Sequence, residues 1–120
     1  MARVLLADDD ADYRDAFRTA LEALGHRVTS VASVQEVGAA IESDRPEIVF
    51  LDVMMPGGGA ISRLHDIRGA HPDLPLVVIT GNAAVFASPI VNEGMRGADA
   101  RLAKSTSLRE ISAIIDRLLD

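Results

Sequence analysis

Val4-Leu5-Leu6-Ala7-Asp8-Asp9-Asp10 carries an apolar run straight into three acids. The same pattern returns downstream. Ile48-Val49-Phe50-Leu51 ends on Asp52, Leu76-Val77-Val78-Ile79 ends on Thr80, and Leu102-Ala103 leads into Lys104. Short, continuously apolar runs are the mark of strands covered on both faces. If these four are parallel strands, every terminal polar group lies on the C-terminal edge of the sheet. In open α/β sheets that edge binds the ligand. Acids, a hydroxyl and an ammonium gathered there predict a divalent cation and a phosphoryl group.

The segments between the runs read as helices, so strand and helix alternate as in βαβ units. The first strand is predicted over Arg3–Ala7. A helix follows from about Asp12 to Leu24, with Tyr13, Phe17, Leu21 and Leu24 on one face and Gly25 as its stop. Arg27–Val31 is the second strand. Ser33 is predicted to cap a helix reaching about Ser43, with Glu36 completing a capping box. Asp44-Arg45-Pro46 turns into the third strand, Ile48–Leu51. Met55-Pro56-Gly57-Gly58-Gly59 reads as a flexible loop, followed by a helix carrying Ile61, Leu64 and Ile67, to about Gly69. After the fourth strand, Leu76–Ile79, the stretch Gly81–Ser88 reads as loop. Ser88-Pro89 starts a fourth helix ending at Gly97, whose glycines give it poor propensity. A short fifth strand spans Ala100–Ala103. Ser107 caps the last helix, with Leu108, Ile111, Ile115 and Leu118 inward and Ile114 and Leu119 beside them, partly exposed. The predicted fold is an α/β three-layer sandwich: a five-stranded parallel sheet, order 2-1-3-4-5, with five helices, flavodoxin-like. That order sets the ends of strands 1 and 3 side by side.

With 120 residues the chain has the length of one domain, predicted over 1–120. Aromatics are only 3% of residues, so the core must be aliphatic. The absence of cysteine excludes disulfides and thiolate metal sites and agrees with a reducing cytoplasm. A net charge of −6 argues against direct nucleic-acid contact, and half of that excess would sit at the acid rim. No apolar stretch approaches the roughly 18 residues of a membrane span. The expected setting is cytoplasmic.

Crowded carboxylates repel unless a proton or a cation joins them. Mg²⁺ suits an all-oxygen site that also takes phosphate oxygens. One carboxylate can then attack phosphorus and form an aspartyl phosphate. A lysine and a hydroxyl nearby would hold the phosphoryl oxygens. Taken singly, these residues have plainer readings. The acid triplet could simply open a helix, where acids favour the N-terminal dipole. Asp52 and Thr80 could be turn residues, and Lys104 a solvated surface charge.

Over nearly its whole length the sequence resembles a response-regulator receiver domain of two-component phosphorelay signalling. The resemblance is carried by Leu5-Leu6-Ala7-Asp8-Asp9-Asp10, Leu51-Asp52-Val53-Met54-Met55-Pro56, Val78-Ile79-Thr80-Gly81, and Gly97-Ala98-Asp99 leading to Lys104. It implies that Asp52 is the phosphoacceptor. It implies that Asp8, Asp9, Asp52 and the Met54 backbone carbonyl hold Mg²⁺, while Thr80 and Lys104 contact the phosphoryl group. The implied donor is a phosphohistidine on a sensor histidine kinase or histidine phosphotransfer protein. The implied output is altered binding, through the surface of helix 4, strand 5 and helix 5, to a downstream protein, an output domain or a second copy in a homodimer. Such a switch promotes its own phosphorylation and dephosphorylation and turns over no external substrate.

Three positions depart from the family pattern. Arg101 stands where an aromatic is usual, Ala60 where a loop glycine is usual, and Ser105 where proline usually follows the lysine. A cis bond without proline costs about 2.5–4 kcal/mol, so Lys104–Ser105 is predicted trans. These departures keep open a degenerate receiver that acts as a phosphorylation-independent binding module. An aspartate-nucleophile hydrolase would want a second acid where Met54 stands. A flavin module would want a hydroxyl- and glycine-rich phosphate loop where the acid triplet stands.

Overall fold

The computed structural model describes residues 1–55 and 59–120; Pro56, Gly57 and Gly58, inside the predicted glycine loop, lie outside them. Among the described residues five strands form: β1 (Arg3–Ala7), β2 (Arg27–Val31), β3 (Ile48–Asp52), β4 (Leu76–Thr80) and β5 (Ala100–Ala103). All pairings are parallel, in the order 2-1-3-4-5, as the sequence reading expects. The helices are α1 (Ala11–Ala23), α2 (Val37–Asp44), α3 (Ala60–Ala70), α4 (Pro89–Gly94) and α5 (Leu108–Leu119). None is long and apolar enough to cross a membrane.

Strand parity sorts the core into two layers. Leu5, Ala7, Val49, Leu51, Leu76 and Val78 pack with Val37 and Ile41 of α2 and with Leu64 and Ile67 of α3. The alternate residues Val4, Leu6, Ile48, Phe50, Val77 and Ile79 pack with Phe17 and Leu21 of α1 and Ile111 and Ile115 of α5. Period-two alternation on a sheet covered on both sides requires this division. Full burial of each large apolar side chain is worth about 1.5–3 kcal/mol, so both layers hold the sheet firmly.

Helix ends follow local chemistry. Asp10 caps α1, its Oδ1 accepting from the amides of Asp12 at 3.0 Å and Tyr13 at 3.2 Å. The other end closes in a Schellman arrangement, with His26 N–H donating to Leu21 O and Gly25 N–H to Glu22 O. Gly25 has φ 93°, a conformation that an L side chain resists.

Some expectations are corrected. Ser33 does not cap a backbone amide. Its hydroxyl donates to the Glu36 carboxylate at 2.8 Å, the first turn tightens into a 3₁₀ segment over Val34–Glu36, and α2 starts only at Val37. The predicted loop before helix 4 holds a second 3₁₀ segment, Ala83–Ala87, because Asn82 Oδ1 accepts from Ala84 N–H and starts a turn. Helix α4 stops at Gly94, short of Gly97. Leu24 and Leu108 are 50% and 38% exposed rather than core; each sits at a helix end, Leu24 as the C-cap of α1 and Leu108 as the first residue of α5. Ile114 and Leu119 are half-buried against the α1–α5 layer, as expected. No peptide bond among the described residues is cis, so Lys104–Ser105 is trans.

Gly94 has a packing reason inside its short helix. A Cβ there would lie 2.6 Å from Ile61 Cγ2 of α3, so any larger residue forces Ile61 or the helix to shift. Beneath them Arg68 ties α3 to the loops entering β4 and β5. Its guanidinium donates to the carbonyls of Pro72 and Leu74 at 2.8 Å each, to Gly97 O at 2.8 Å, and to Asp99 Oδ2 at 2.9 Å. Asp99 Oδ2 also accepts from Leu76 N–H at 2.8 Å, at the start of β4. Replacing Arg68 with Leu removes donors from several partly buried acceptors at once. The expected loss is about 2–4 kcal/mol in urea unfolding, with little recovery in Arg68→Lys because an ammonium cannot fork across those acceptors.

Candidate functional site

Register decides which polar groups meet. Ala7 pairs with Leu51, so Asp8 and Asp52 leave the ends of neighbouring strands together. Both continue the parity of Leu6 and Phe50, the face toward α1 and α5. Thr80 continues the parity of Val78, on the opposite face.

The acid triplet divides its labour. Asp10 is the helix cap. Asp8 is fully buried, and its Oδ1 accepts from the Asp10 amide at 2.9 Å. Asp9 is exposed at the rim. One carboxylate oxygen from each of Asp8, Asp9 and Asp52 falls within 4.8 Å of the others. Asp52 is buried, and its Oδ1 accepts from Met54 N–H at 2.9 Å. Lys104 Nζ reaches Asp8 Oδ2 at 2.7 Å and Asp52 Oδ2 at 3.2 Å. No other donor among the described residues reaches Asp8 Oδ2. A buried carboxylate oxygen held only by an ammonium, beside two more acids, suits a hard divalent cation. Asp8, Asp9 and Asp52 could hold such an ion.

Thr80 is at the rim, but its hydroxyl faces the following loop. It accepts from Asn82 N–H at 3.1 Å and donates to Asn82 O at 3.3 Å. The Thr80 carbonyl accepts from Lys104 N–H at 2.8 Å, which fixes where the lysine leaves β5. The Met54 side chain is 55% exposed beside Asp52. Arg101 is exposed and keeps its charge in solvent, its Nη1 donating to Asn92 Oδ1, while Asn92 Nδ2 donates to Phe86 O. Gly59 opens α3 with φ 86° and supplies the positive-φ residue at that helix start, beside Ala60.

Two contributors escape the motif reading. Arg14 Nη1 donates to the Asp8 carbonyl at 2.7 Å. The Tyr13 ring lies 4.9 Å from Lys104 Nζ. Both sit in the first turns of α1, whose apolar spacing marks Tyr13 only as a core residue. Their nearness to Asp8, within six residues in sequence, is the one available signal.

A family model described as response regulator receiver domain matches residues 4–116. The chain belongs to that family. Response regulator MprA of Mycobacterium tuberculosis is 36% identical over 117 residues, 98% of this chain and 50% of that protein. The DNA-binding transcriptional regulator NtrC of Salmonella typhimurium is 30% identical over 116 residues, 97% of this chain and 24% of that protein. This receiver domain therefore spans half or less of these relatives' length. A CheY-like receiver domain protein from Methanospirillum hungatei superposes with TM-score 0.90 at 26% identity, over 100% of this chain and 94% of that one. These findings make the chain a receiver domain of two-component signalling.

Electrostatics set the resting state of the rim. Burial pushes the Asp8 carboxyl above the ordinary aspartate value. Lys104 and the Asp10 amide pull it back, and the Asp52 charge pushes it further up. Burial alone would lower the Lys104 ammonium, but its contacts with Asp8 and Asp52 outweigh that and raise it. A raised carboxyl means that the folded state binds the proton more tightly. Its contribution to stability is therefore fully present below the unfolded value, about 3.9, and is lost as pH rises through the folded one. Without metal, Asp8→Asn should be more stable than the parent near neutral pH. That advantage should shrink as pH falls through this window, read from urea midpoints in EDTA.

Proposed function

We propose that residues 1–120 work as one receiver domain and form a phosphorylation switch in the cytoplasm. Asp52 takes a phosphoryl group from a phosphohistidine on a sensor histidine kinase or histidine phosphotransfer protein. A carboxylate oxygen of Asp52 forms the new P–O bond as the P–N bond to the donor imidazole breaks. The observation that carries this reading is the acid trio with Lys104 bridging Asp8 and Asp52.

Asp8, Asp9, Asp52 and the Met54 backbone carbonyl would hold Mg²⁺, which supplies charge neutralisation at the transferring phosphoryl group. Lys104 pairs with one phosphoryl oxygen and Thr80 donates its hydroxyl to another. The Met54 amide keeps Asp52 Oδ1 oriented, which leaves Oδ2, now facing Lys104, as the attacking atom.

For Thr80 to turn toward a phosphoryl group it must release Asn82, the residue that starts the Ala83–Ala87 turn. Phe86 in that turn is held by Asn92 of α4, and Asn92 by Arg101 of β5. A shift at Thr80 therefore has a hydrogen-bonded route to the α4–β5–α5 surface, where a downstream protein, an output domain or a second copy would bind. The resident charge change is of the size that moves such elements. No turnover of an external substrate is needed.

Incubation with acetyl phosphate and Mg²⁺ should add the mass of one phosphoryl group. The gain should vanish in EDTA and in Asp52→Asn. An unchanged mass in the parent, with partner capture intact, would favour the phosphorylation-independent binding module that Arg101 and Ser105 keep in view.

A further inference from the structure

We propose that Tyr13 is a positioning residue for Lys104: its ring face holds the ammonium over the acid pocket when the carboxylates are engaged elsewhere. The inference rests on the phosphorylation reading for its consequence, but the contact itself does not. The Lys104 ammonium has three partners among the described residues: Asp8 Oδ2, Asp52 Oδ2 and the ring of Tyr13. The first two are the groups that a cation and a phosphoryl group would claim. The ring is the partner that both would leave in place.

The surroundings favour a held lysine. Its side chain is only 18% exposed, so the ammonium has little water to replace a lost partner. Its backbone is fixed to β4 through the Thr80 carbonyl. A Cβ on Gly81 would sit 3.9 Å from Lys104 Cδ, so the stem passes over that glycine. The ring faces the ammonium at 4.9 Å, within the range of about 6 Å in which an aromatic quadrupole attracts a cation. The ring in turn is braced from the core. Tyr13 tilts against Phe17 at a centroid distance of 5.9 Å, and Phe17 meets Phe50 of β3 edge-on at 5.2 Å. Phe50 is two residues from Asp52 on the same strand. One aromatic column thus ties the lysine's holder to the strand that carries the acceptor.

A direct contact predicts coupling between Tyr13 and Lys104, and positioning adds that the phosphorylation rate follows the ring face. The test is a double-mutant cycle with Tyr13→Leu, which keeps apolar bulk, Lys104→Met, and the pair together. In urea unfolding without metal or phosphodonor, losing the ring should change the folding equilibrium about threefold more when Lys104 is present than when it is absent. In phosphorylation by acetyl phosphate with Mg²⁺, Tyr13→Leu should slow the parent about fivefold and leave Lys104→Met unchanged. Tyr13→Phe, which keeps the ring face, should restore the parent rate to within about twofold. Additive effects in the unfolding cycle would overturn the proposal, as would a Tyr13→Phe rate as low as that of Tyr13→Leu. Coupling in unfolding with no phosphorylation of the parent would uphold the Tyr13–Lys104 contact and sink the phosphorylation reading. Phosphorylation of the parent with additive unfolding effects would do the reverse.

Discussion

Like charges crowded at the ends of β1 and β3 are the constraint from which the rest of this molecule follows. The strand order makes those two ends neighbours, and the register from Ala7 to Leu51 sends Asp8 and Asp52 out side by side. Two buried carboxylates in that position are unfavourable unless something positive joins them. In the resting fold Lys104 is that group, arriving from the far side of β4. The arrangement is stable enough to persist and strained enough electrostatically to welcome a cation. A binding site that is costly when empty is a natural place for a chemical switch.

The remaining architecture keeps the crowding intact and gives it an outlet. Two apolar layers clamp the sheet, and the Arg68–Asp99 network anchors the strand starts at the opposite end from the acids. The rim is thus built on rigid elements. Beyond Thr80 the chain changes character. A 3₁₀ turn, a six-residue helix and an Arg101–Asn92–Phe86 hydrogen-bond chain replace continuous core. Low helix propensity and few buried side chains make this the segment with least resistance to rearrangement. Rigid strand ends on one side and a lightly packed segment on the other suit a signalling domain.

Much of this was legible in the residues because strands buried on both faces leave unbroken apolar runs, and each run here ends on a chemically distinctive group. Asp8, Asp9, Asp52, Thr80 and Lys104 all lie on the expected rim. What periodicity could not convey was the division of labour among Asp8, Asp9 and Asp10, since burial, exposure and capping differ by one residue's turn of the chain. The 3₁₀ segment after Asn82 was hidden because its start depends on a single side-chain acceptor. Leu24 and Leu108 fit an inward stripe by spacing, yet each falls at a helix end and stays partly in solvent. Tyr13 likewise reads as core by its interval from Phe17. Only the fold reveals that its ring meets Lys104.

The most direct measurement is a crystal structure grown with Mn²⁺ and collected at a wavelength where manganese scatters anomalously. One strong peak is expected at the C-terminal edge of the sheet, within coordination distance of carboxylate oxygens from Asp8, Asp9 and Asp52 together. A peak bound by other residues, or a metal-soaked crystal with no peak at that edge, would contradict it.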